Sequence, residues 1–410
     1  MNPLSENNLV SAIAKSKQRF IWIAMALFLI HGGMTVFSTY YFASKQNTVV
    51  FEKKRHHVKE PTRWHNYLDL NRWDSAHYEK IAQEGYVRNF YDENEKPKVV
   101  IWYPGYPLIA RGVQALTHLQ TTAVFSLLSV LFTMTFWLLL WSAPLRDLLG
   151  IKSLLMASLL ILCWPGSYYW FAGMTEPLTG LILIGMIILY QKDKWNSLAG
   201  LLALATSVKQ VFLALTLACS TIDLIKHKNN KRAVLGRFLL SCAGFVAFEI
   251  YCRVQFGHFF ASAKIGTAWF NKQVSFFSII DFSNYASNFW HYENQVAFFS
   301  MLFLLIVLTG SGSNWIKPIY NRSIDAICFL WWLALAYTTF VIVGNGSGQH
   351  PFASLLRFQT VNIPIILLVA WSLRTIPNWR LIMLFTPIVY IMLYLRNDFI
   401  VRYWNWHWVS

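Results

Sequence analysis

The residues best equipped for chemistry lie between Arg72 and Tyr86, in Arg72-Trp73-Asp74-Ser75-Ala76-His77-Tyr78, continuing through Ile81-Ala82 to Gly85-Tyr86. Helical spacing puts Asp74, His77, Tyr78 and Ile81 on one face. A carboxylate beside an imidazole and a phenol is what a general base needs when the proton to be removed belongs to a hydroxyl. The competing reading makes Asp74 the N-cap of a short interfacial helix that begins at Ser75. On the residues alone both stand.

Other polar residues stand out against apolar surroundings. Trp102-Tyr103-Pro104-Gly105-Tyr106-Pro107 forms a rigid aromatic corner, able to stack on sugar faces or to serve as an interfacial belt. Glu176, in Met174-Thr175-Glu176-Pro177, opens an apolar run; it is either an acid favoured by a helix N-terminus or a partner for a sugar hydroxyl. Lys209 interrupts the run 197–222 within Thr206-Ser207-Val208-Lys209-Gln210. An ionisable residue inside a span costs about 2.5–3.5 kcal/mol on insertion scales, so a partner is expected, and a lipid phosphate is a natural one. Arg357, at the end of His350-Pro351-Phe352-Ala353-Ser354-Leu355-Leu356-Arg357-Phe358, sits similarly. Simple snorkelling accounts equally well for both cations. Glu249 and Arg253, acid first and four apart, read as an intrahelical pair. Arg402-Tyr403-Trp404-Asn405-Trp406-His407-Trp408 reads as an interface anchor. There is no HExxH, Asp-rich loop or DxD pair, so no metal and no cofactor are expected, and a phosphate would fall to Lys and Arg.

The elements that must position these residues are membrane spans. Of 410 residues, 56% are hydrophobic and 13% charged, with a mean hydropathy of +0.39. Soluble domains carry about 25% charged residues. The net charge of +16 comes mostly from short loops, where bases set topology and meet anionic headgroups, so nucleic acid is not the expected partner. The five cysteines, Cys163, Cys219, Cys242, Cys252 and Cys328, lack zinc or CxxC spacing and read as small apolar residues.

Runs near span length cover 20–42, 121–141, 151–170, 175–190, 233–255, 295–309, 324–343, 358–373 and 380–396, and 197–222 divides at Ser207–Gln210 into a hairpin. With that division and 101–119 lying on the surface, every short basic loop falls on the inner side. The expectation is one all-α polytopic membrane domain, 1–410, of about eleven spans, N-terminus cytoplasmic, with an outer cap from loops 43–120 and 256–294. The unusual polar residues then gather on the outer face, where a lipid-borne donor would be needed in place of a cytosolic nucleotide sugar.

Trp73-Asp74-x-x-x-Tyr78-x-x-Ile81-Ala82-x-x-Gly85-Tyr86, followed by Tyr103-Pro104-x-Tyr106-Pro107, resembles the signature of the GPI second-mannosyltransferase family and its prokaryotic relatives. That signature is W-D-x-x-x-Y-x-x-I-A-x-x-G-Y, then F-P-x-Y-P. Thr175-Glu176 is similar to the family's Ser-Glu, and Ser354-x-x-Arg357-Phe358 to its S-x-x-R-Y, with Tyr103 and Phe358 as departures. The resemblance implies a GT-C-type bundle with interfacial helices in the first outer loop, and inverting transfer of a hexose, mannose favoured, from a polyprenyl-phosphate donor. It implies Asp74 as the base that deprotonates the acceptor hydroxyl. Lys209, Arg357 and His350 would hold the donor phosphate. Arg72, His77, Tyr78, Tyr103, Tyr106 and Glu176 would contact sugar or acceptor.

The function expected is therefore an extracytoplasmic membrane glycosyltransferase, in a prokaryotic plasma membrane rather than the endoplasmic reticulum. Its partners would be membrane lipid, a polyprenyl-phosphate-linked sugar and a glycan or glycolipid acceptor. The rival expectations are a transporter or flippase of lipid-linked sugars and a non-catalytic subunit of a glycan-assembly complex.

Overall fold

The structure, a computed structural model, describes residues 6–43, 70–71, 74–86, 102–262, 325–344, 357 and 360–404. Arg72, Trp73, His350, the run 295–309, most of the loop 256–294 and the anchor after Trp404 lie outside the described residues.

Among the described residues every regular element is helical. α1 is Glu6–Ser38, prolonged by a π turn at Thr39–Ala43. α2 is Asp74–Glu84 and α3 Gly105–Thr117, both in the first polar loop. α4 is Thr121–Leu140, α5 Ala143–Leu149, and α6 Ile151–Cys163, followed by a 3-10 turn at Ser167–Phe171. α7 is Glu176–Gln191, α8 Trp195–Val208, α9 Val211–Lys226, α10 Lys231–Ser241 and α11 Ala243–Phe256. α12 is Ala326–Gly344, α13 Ile363–Ser372 and α14 Asn378–Trp404.

Among the described residues three helical stretches are long and apolar enough to cross a membrane: Gln18–Tyr41, Thr121–Leu140 and Asn378–Ile400. α10 and α11, bent by 50° at one break, add a fourth if taken as one span. The runs 151–170 and 175–190 and the first half of 197–222 form the shorter apolar helices α6, α7 and α8. The 151–170 run stops at Cys163, because Pro165 disfavours helix at Trp164 and Gly166 follows. At 1.5 Å per residue a helix of thirteen to sixteen residues spans only about 20–24 Å, short of a typical hydrocarbon core. The run 197–222 does break in its middle: α8 ends at Val208, Lys209 is extended, and α9 starts at Val211.

α7 is the hub. It packs against α4, α8, α12, α13 and the 3-10 turn, and most of its side chains are buried. α8 is gripped on two sides by glycines. A Cβ on Gly105 of α3 would lie 2.8 Å from the Ser207 carbonyl oxygen, and one on Gly244 of α11 would lie 2.8 Å from the Ser207 amide nitrogen. Those approaches fix the end of α8 just before Lys209.

The chain ends are tied by Arg396, which is buried in α14. Its Nε donates to Ser167 Oγ at 2.6 Å, Nη1 to Ser38 Oγ at 2.9 Å and Nη2 to Thr35 Oγ1 at 2.9 Å. His31 Nε2 meets the Ser167 carbonyl at 3.0 Å. α1, α14 and the 3-10 turn thus share one polar knot. At the other end of α9, Asp223 receives Arg237 through two bonds of 2.7 and 2.8 Å and His227 at 2.7 Å, which folds the basic loop back on its helix.

The expected Glu249–Arg253 pair is not what forms. Glu249 Oε2 accepts from the Phe260 amide at 2.5 Å, and Arg253 donates to the Gly257 carbonyl. Gly257, at φ +77, ends α11 and turns the chain so that backbone donors and acceptors reach these side chains first.

Gly105→Ala and Gly244→Ala should each destabilise the detergent-solubilised protein by about 1–3 kcal/mol through overpacking. Gly236→Ala, where nothing lies within 4 Å of the added carbon, should gain up to about 1 kcal/mol from helix propensity. Thermal unfolding of the three variants measures the contrast, and a loss in Gly236→Ala equal to the others would refute the packing argument.

Candidate functional site

Four charged side chains from four parts of the chain meet at one point. Glu176, the first residue of α7, is fully buried, and its Oε1 accepts from Lys209 Nζ at 3.1 Å and from Arg357 Nε at 2.7 Å. A second arm of the Arg357 guanidinium, Nη1, donates to Asp74 Oδ2. The side chains open to solvent in sequence: Glu176 0%, Arg357 7%, Lys209 14% and Asp74 20% exposed. Asp74 is therefore the outward end of a chain of ion pairs that runs inward to Glu176.

Helix ends favour this arrangement. Asp74 and Glu176 stand at the N-termini of α2 and α7, where unsatisfied backbone amides favour negative charge. Lys209 caps the C-terminus of α8, where carbonyls favour positive charge. The N-cap alternative for Asp74 is thus half right: the residue does open the helix, and its carboxylate also faces a cation.

Asp74 and Glu176 are held in register by a contact three residues upstream of each. Asn71 Nδ2 donates to the Thr122 carbonyl at 2.9 Å and to Ser126 Oγ at 3.0 Å, which anchors the segment before α2 to α4. Its side chain lies against Gly173, where a Cβ would come within 2.7 Å of Asn71 Cγ. Gly173 also has φ +66, so both its backbone and its neighbour require glycine. Arg357 is fixed by its own turn: the Thr360 amide donates to the Arg357 carbonyl at 3.1 Å, and Thr360 packs on Gly166. That brings the 3-10 turn beneath the guanidinium, with the Tyr169 ring centroid 5.6 Å from it. Such a cation–π contact stabilises by about 0.5–2 kcal/mol. The run Trp164-Pro165-Gly166-Ser167-Tyr168-Tyr169 stands out in the sequence as an aromatic turn, but nothing in it assigns Tyr169 a role.

Of the residues the sequence nominated, Asp74, Glu176, Lys209 and Arg357 come together. Glu176 takes a different part from the one expected: it is the shared counter-ion of two cations and is sealed from solvent, not displayed to a sugar. Among the described residues its Oε2 has no hydrogen-bond partner. Tyr78 is buried between α2 and α3, edge-on to Tyr106 at 5.6 Å, and Tyr106 is fully buried against Phe125 at 5.0 Å. Tyr106 thus packs under α2 and Tyr103 against Phe248 of α11, with ring centroids 4.8 Å apart, so a direct sugar contact from Tyr106 is corrected to a supporting one. The aromatic corner is wrapped into the first turn of α3, with Pro107 at a position where its missing amide costs nothing. Burial pushes the Tyr103 phenol up to about 12, so it stays protonated.

His77, on the outer side of α2, stacks on Trp102 with ring centroids 4.1 Å apart. Burial lowers its pKa; Asp74 opposes the shift and Lys80 reinforces it. Arg111 closes the far end of α2 by donating Nε to the Ala82 carbonyl at 2.7 Å and Nη2 to the Ile81 carbonyl at 3.2 Å. Gly85, at φ +76, completes that end. Among the described residues no group of three or more His, Cys, Asp or Glu side chains is arranged to hold a metal ion.

Searched against models of known protein families and against curated proteins, the chain matches none.

Two measurements follow from this geometry. Glu176→Gln leaves Arg357 and Lys209 facing each other without their shared carboxylate and should cost about 3–5 kcal/mol of stability, the usual result of breaking a buried pair from one side. Adding Lys209→Met should recover at least about 1 kcal/mol by removing the surplus cation. A Glu176→Gln protein that melts like wild type would contradict the burial. For His77, the folded pKa lies below the ordinary 6.5, so the unfolded chain binds the proton more readily. Stability should therefore be lost as pH falls below about 6.5. His77→Phe should flatten that decline in a melting-temperature series from pH 8 to 5.

Proposed function

We propose that this chain is an integral membrane glycosyltransferase of inverting type, using a polyprenyl-phosphate hexose as donor. The observation that carries the reading is the convergence of Asp74, Arg357, Glu176 and Lys209, in which Asp74 and Arg357 meet across 283 positions of sequence. One acid sits at the accessible edge and two cations lie just inside it, which are the requirements for taking a proton from a hydroxyl while a phosphate leaves. The likeness of Trp73-Asp74 through Tyr86 to the GPI second-mannosyltransferase signature supports the same class, with mannose as the favoured sugar.

In this reading the acceptor hydroxyl attacks the anomeric carbon opposite the phosphate. A new C–O bond forms, the C1–O bond to phosphate breaks with its electron pair going to the phosphate, and the hydroxyl proton passes to Asp74. The donor's phosphodiester carries one negative charge and the departing monoester carries two, so the step places one added charge on the phosphate. Arg357 offers a planar fork for that charge and Lys209 a point charge. Preorganised cations in a water-poor site act on the developing charge without reorganising. Glu176 keeps them in place.

The proposed topology is a bundle of about eleven crossings, with the site on the extracytoplasmic side of a prokaryotic plasma membrane. The basic loop 226–237 lies at the far end of α9 from Lys209, which is the arrangement that topology needs.

A second reading, a transporter of lipid-linked sugars, draws on one observation. α10–α11 is a helix pair bent by 50° at its break, it packs beside α8, and transporters use broken helices at their substrate sites. Purified protein in vesicles, given a labelled polyprenyl-phosphate hexose and candidate glycolipid acceptors, separates the two, since product means transfer and movement alone means transport.

For the enzyme reading, Asp74→Asn should lower transfer at least about 100-fold, the lower range for removal of a general base. The melting temperature should stay near that of wild type, because the amide oxygen can still accept from Arg357. Undiminished turnover in that variant would remove Asp74 from the reaction. Arg357→Lys keeps the charge but cannot span both carboxylates, so turnover should drop without matching loss of protein.

A further inference from the structure

The four charged side chains of the site, two acids and two bases, sum to zero formal charge, yet they differ in how they can be reached. Glu176 has no exposure, and it binds both Lys209 and Arg357 through one oxygen. Nothing arriving from solvent can take its place without dismantling the N-terminus of α7. The Arg357–Asp74 contact is different. It lies at the exposed end, made by an outer arm of the guanidinium to the most accessible of the four side chains. Asp74 is also carried by α2, a short helix of the polar loop, whereas Glu176 opens the central helix.

An anionic ligand that approaches Arg357 from the accessible side of this site must therefore compete with the Asp74 carboxylate. We propose that the Asp74–Arg357 pair is an exchangeable latch, in which the phosphate of a lipid-linked ligand displaces the Asp74 carboxylate from the guanidinium and so frees it to accept a proton. This rests on the glycosyl-transfer reading and adds an order to it. The phosphate-bearing donor binds first, the base is released second, and a hydroxyl that arrives early meets a carboxylate oxygen already occupied by Arg357. Glu176 is the fixed anchor that keeps Arg357 aimed while its outer partner changes.

The chemistry that recognises the ligand is a phosphate monoester or diester. A guanidinium that gives Nε to a buried carboxylate still presents the Nη edge outward, which suits phosphate oxygens. Linkage supplies the test. If Asp74 competes with phosphate, removing its charge must strengthen phosphate binding by the energy of that competition.

The experiment uses the full chain in nanodiscs and titrates a short-chain polyprenyl monophosphate, with the matching polyprenyl alcohol and inorganic phosphate as separate arms. The latch predicts that Asp74→Asn binds the polyprenyl monophosphate on the order of tenfold more tightly than wild type. The gain should vanish in Asp74→Asn combined with Arg357→Lys, and the alcohol should show none. A gain for inorganic phosphate of the same size identifies the headgroup alone as the displacing agent; a gain restricted to the lipid form requires the prenyl chain as well. Either supports the exchange. Equal or weaker lipid-phosphate binding in a folded Asp74→Asn, checked by its melting temperature, overturns the latch and leaves the donor-site reading intact. A wild-type protein and an Asp74→Asn variant that both fail to bind the lipid phosphate overturn both.

Discussion

A single carboxylate oxygen, Glu176 Oε1, holds two cations in a place that water does not reach. The rest of the structure depends on this. Transferring any one of these ions alone out of water costs several kcal/mol even after relaxation, so none of the three would be stable there without the others. Glu176 can be buried because α7 brings its N-terminus to the point where α8 breaks and where the chain passes just before α13. Arg357 can be buried because one arm meets Glu176 and another meets Asp74. The ion pairs do not stabilise the fold in the way an apolar core does. They select one arrangement of helices, because any other would leave a charge stranded.

Helix termini explain why the cluster lies where it does. An apolar bundle satisfies its backbone along the helices and leaves amides and carbonyls unsatisfied only at the ends. Here the N-termini of α2 and α7 and the C-terminus of α8 meet, each carrying the side-chain charge that its end prefers. The break at Lys209 creates one of those ends in the middle of an apolar run. Without it, α8 and α9 would form one long helix with no polar terminus at this depth. The glycine contacts of Gly105 and Gly244 on Ser207 then hold the break open at a fixed place.

The sequence made much of this site legible and some of it not. Lys209 and Arg357 stand out because charge among apolar residues demands a partner, and Asp74 stands out through its motif. That Lys209 and Arg357 meet at Glu176, with Asp74 on the other arm of Arg357, could not be read, because the pairing depends on which helices pack on α7, and nothing local specifies that. Glu176 looked the same as any acid at the start of a helix. Tyr106 looked like a surface aromatic because Pro and Tyr at a loop often are; its burial follows from α3 folding under α2. Glu249 and Arg253 had the right spacing to pair, but the turn at Gly257 offers them nearer backbone partners. Arg396 carried a usable signal, a cation at the end of the apolar run 381–395. Its partners, Ser167, Ser38 and Thr35, are neutral and distant, so no pairing rule points to them. Span length is the coarsest case, since the apolar run 151–170 absorbs the turn residues after Cys163, where α6 ends.

The choice of bases at the two cationic positions is itself informative. Arg357 must touch two carboxylates at once, one buried and one near the surface, and a planar guanidinium with donors along separate edges does this with little loss of freedom. A lysine there would satisfy one acid and strand the other. Lys209 meets Glu176 Oε1 from the end of a helix, and its flexible stem lets the ammonium reach that oxygen from a backbone that has just left α8. In the proposed transfer the same division has a use. A donor bearing one negative charge adds to a neutral quartet, and when the proton moves to Asp74 the phosphate gains what the carboxylate loses. The total charge in the site is the same before and after the bond changes, so a water-poor pocket need not accommodate a new net charge, only move an existing one from Asp74 to the phosphate held by Arg357 and Lys209.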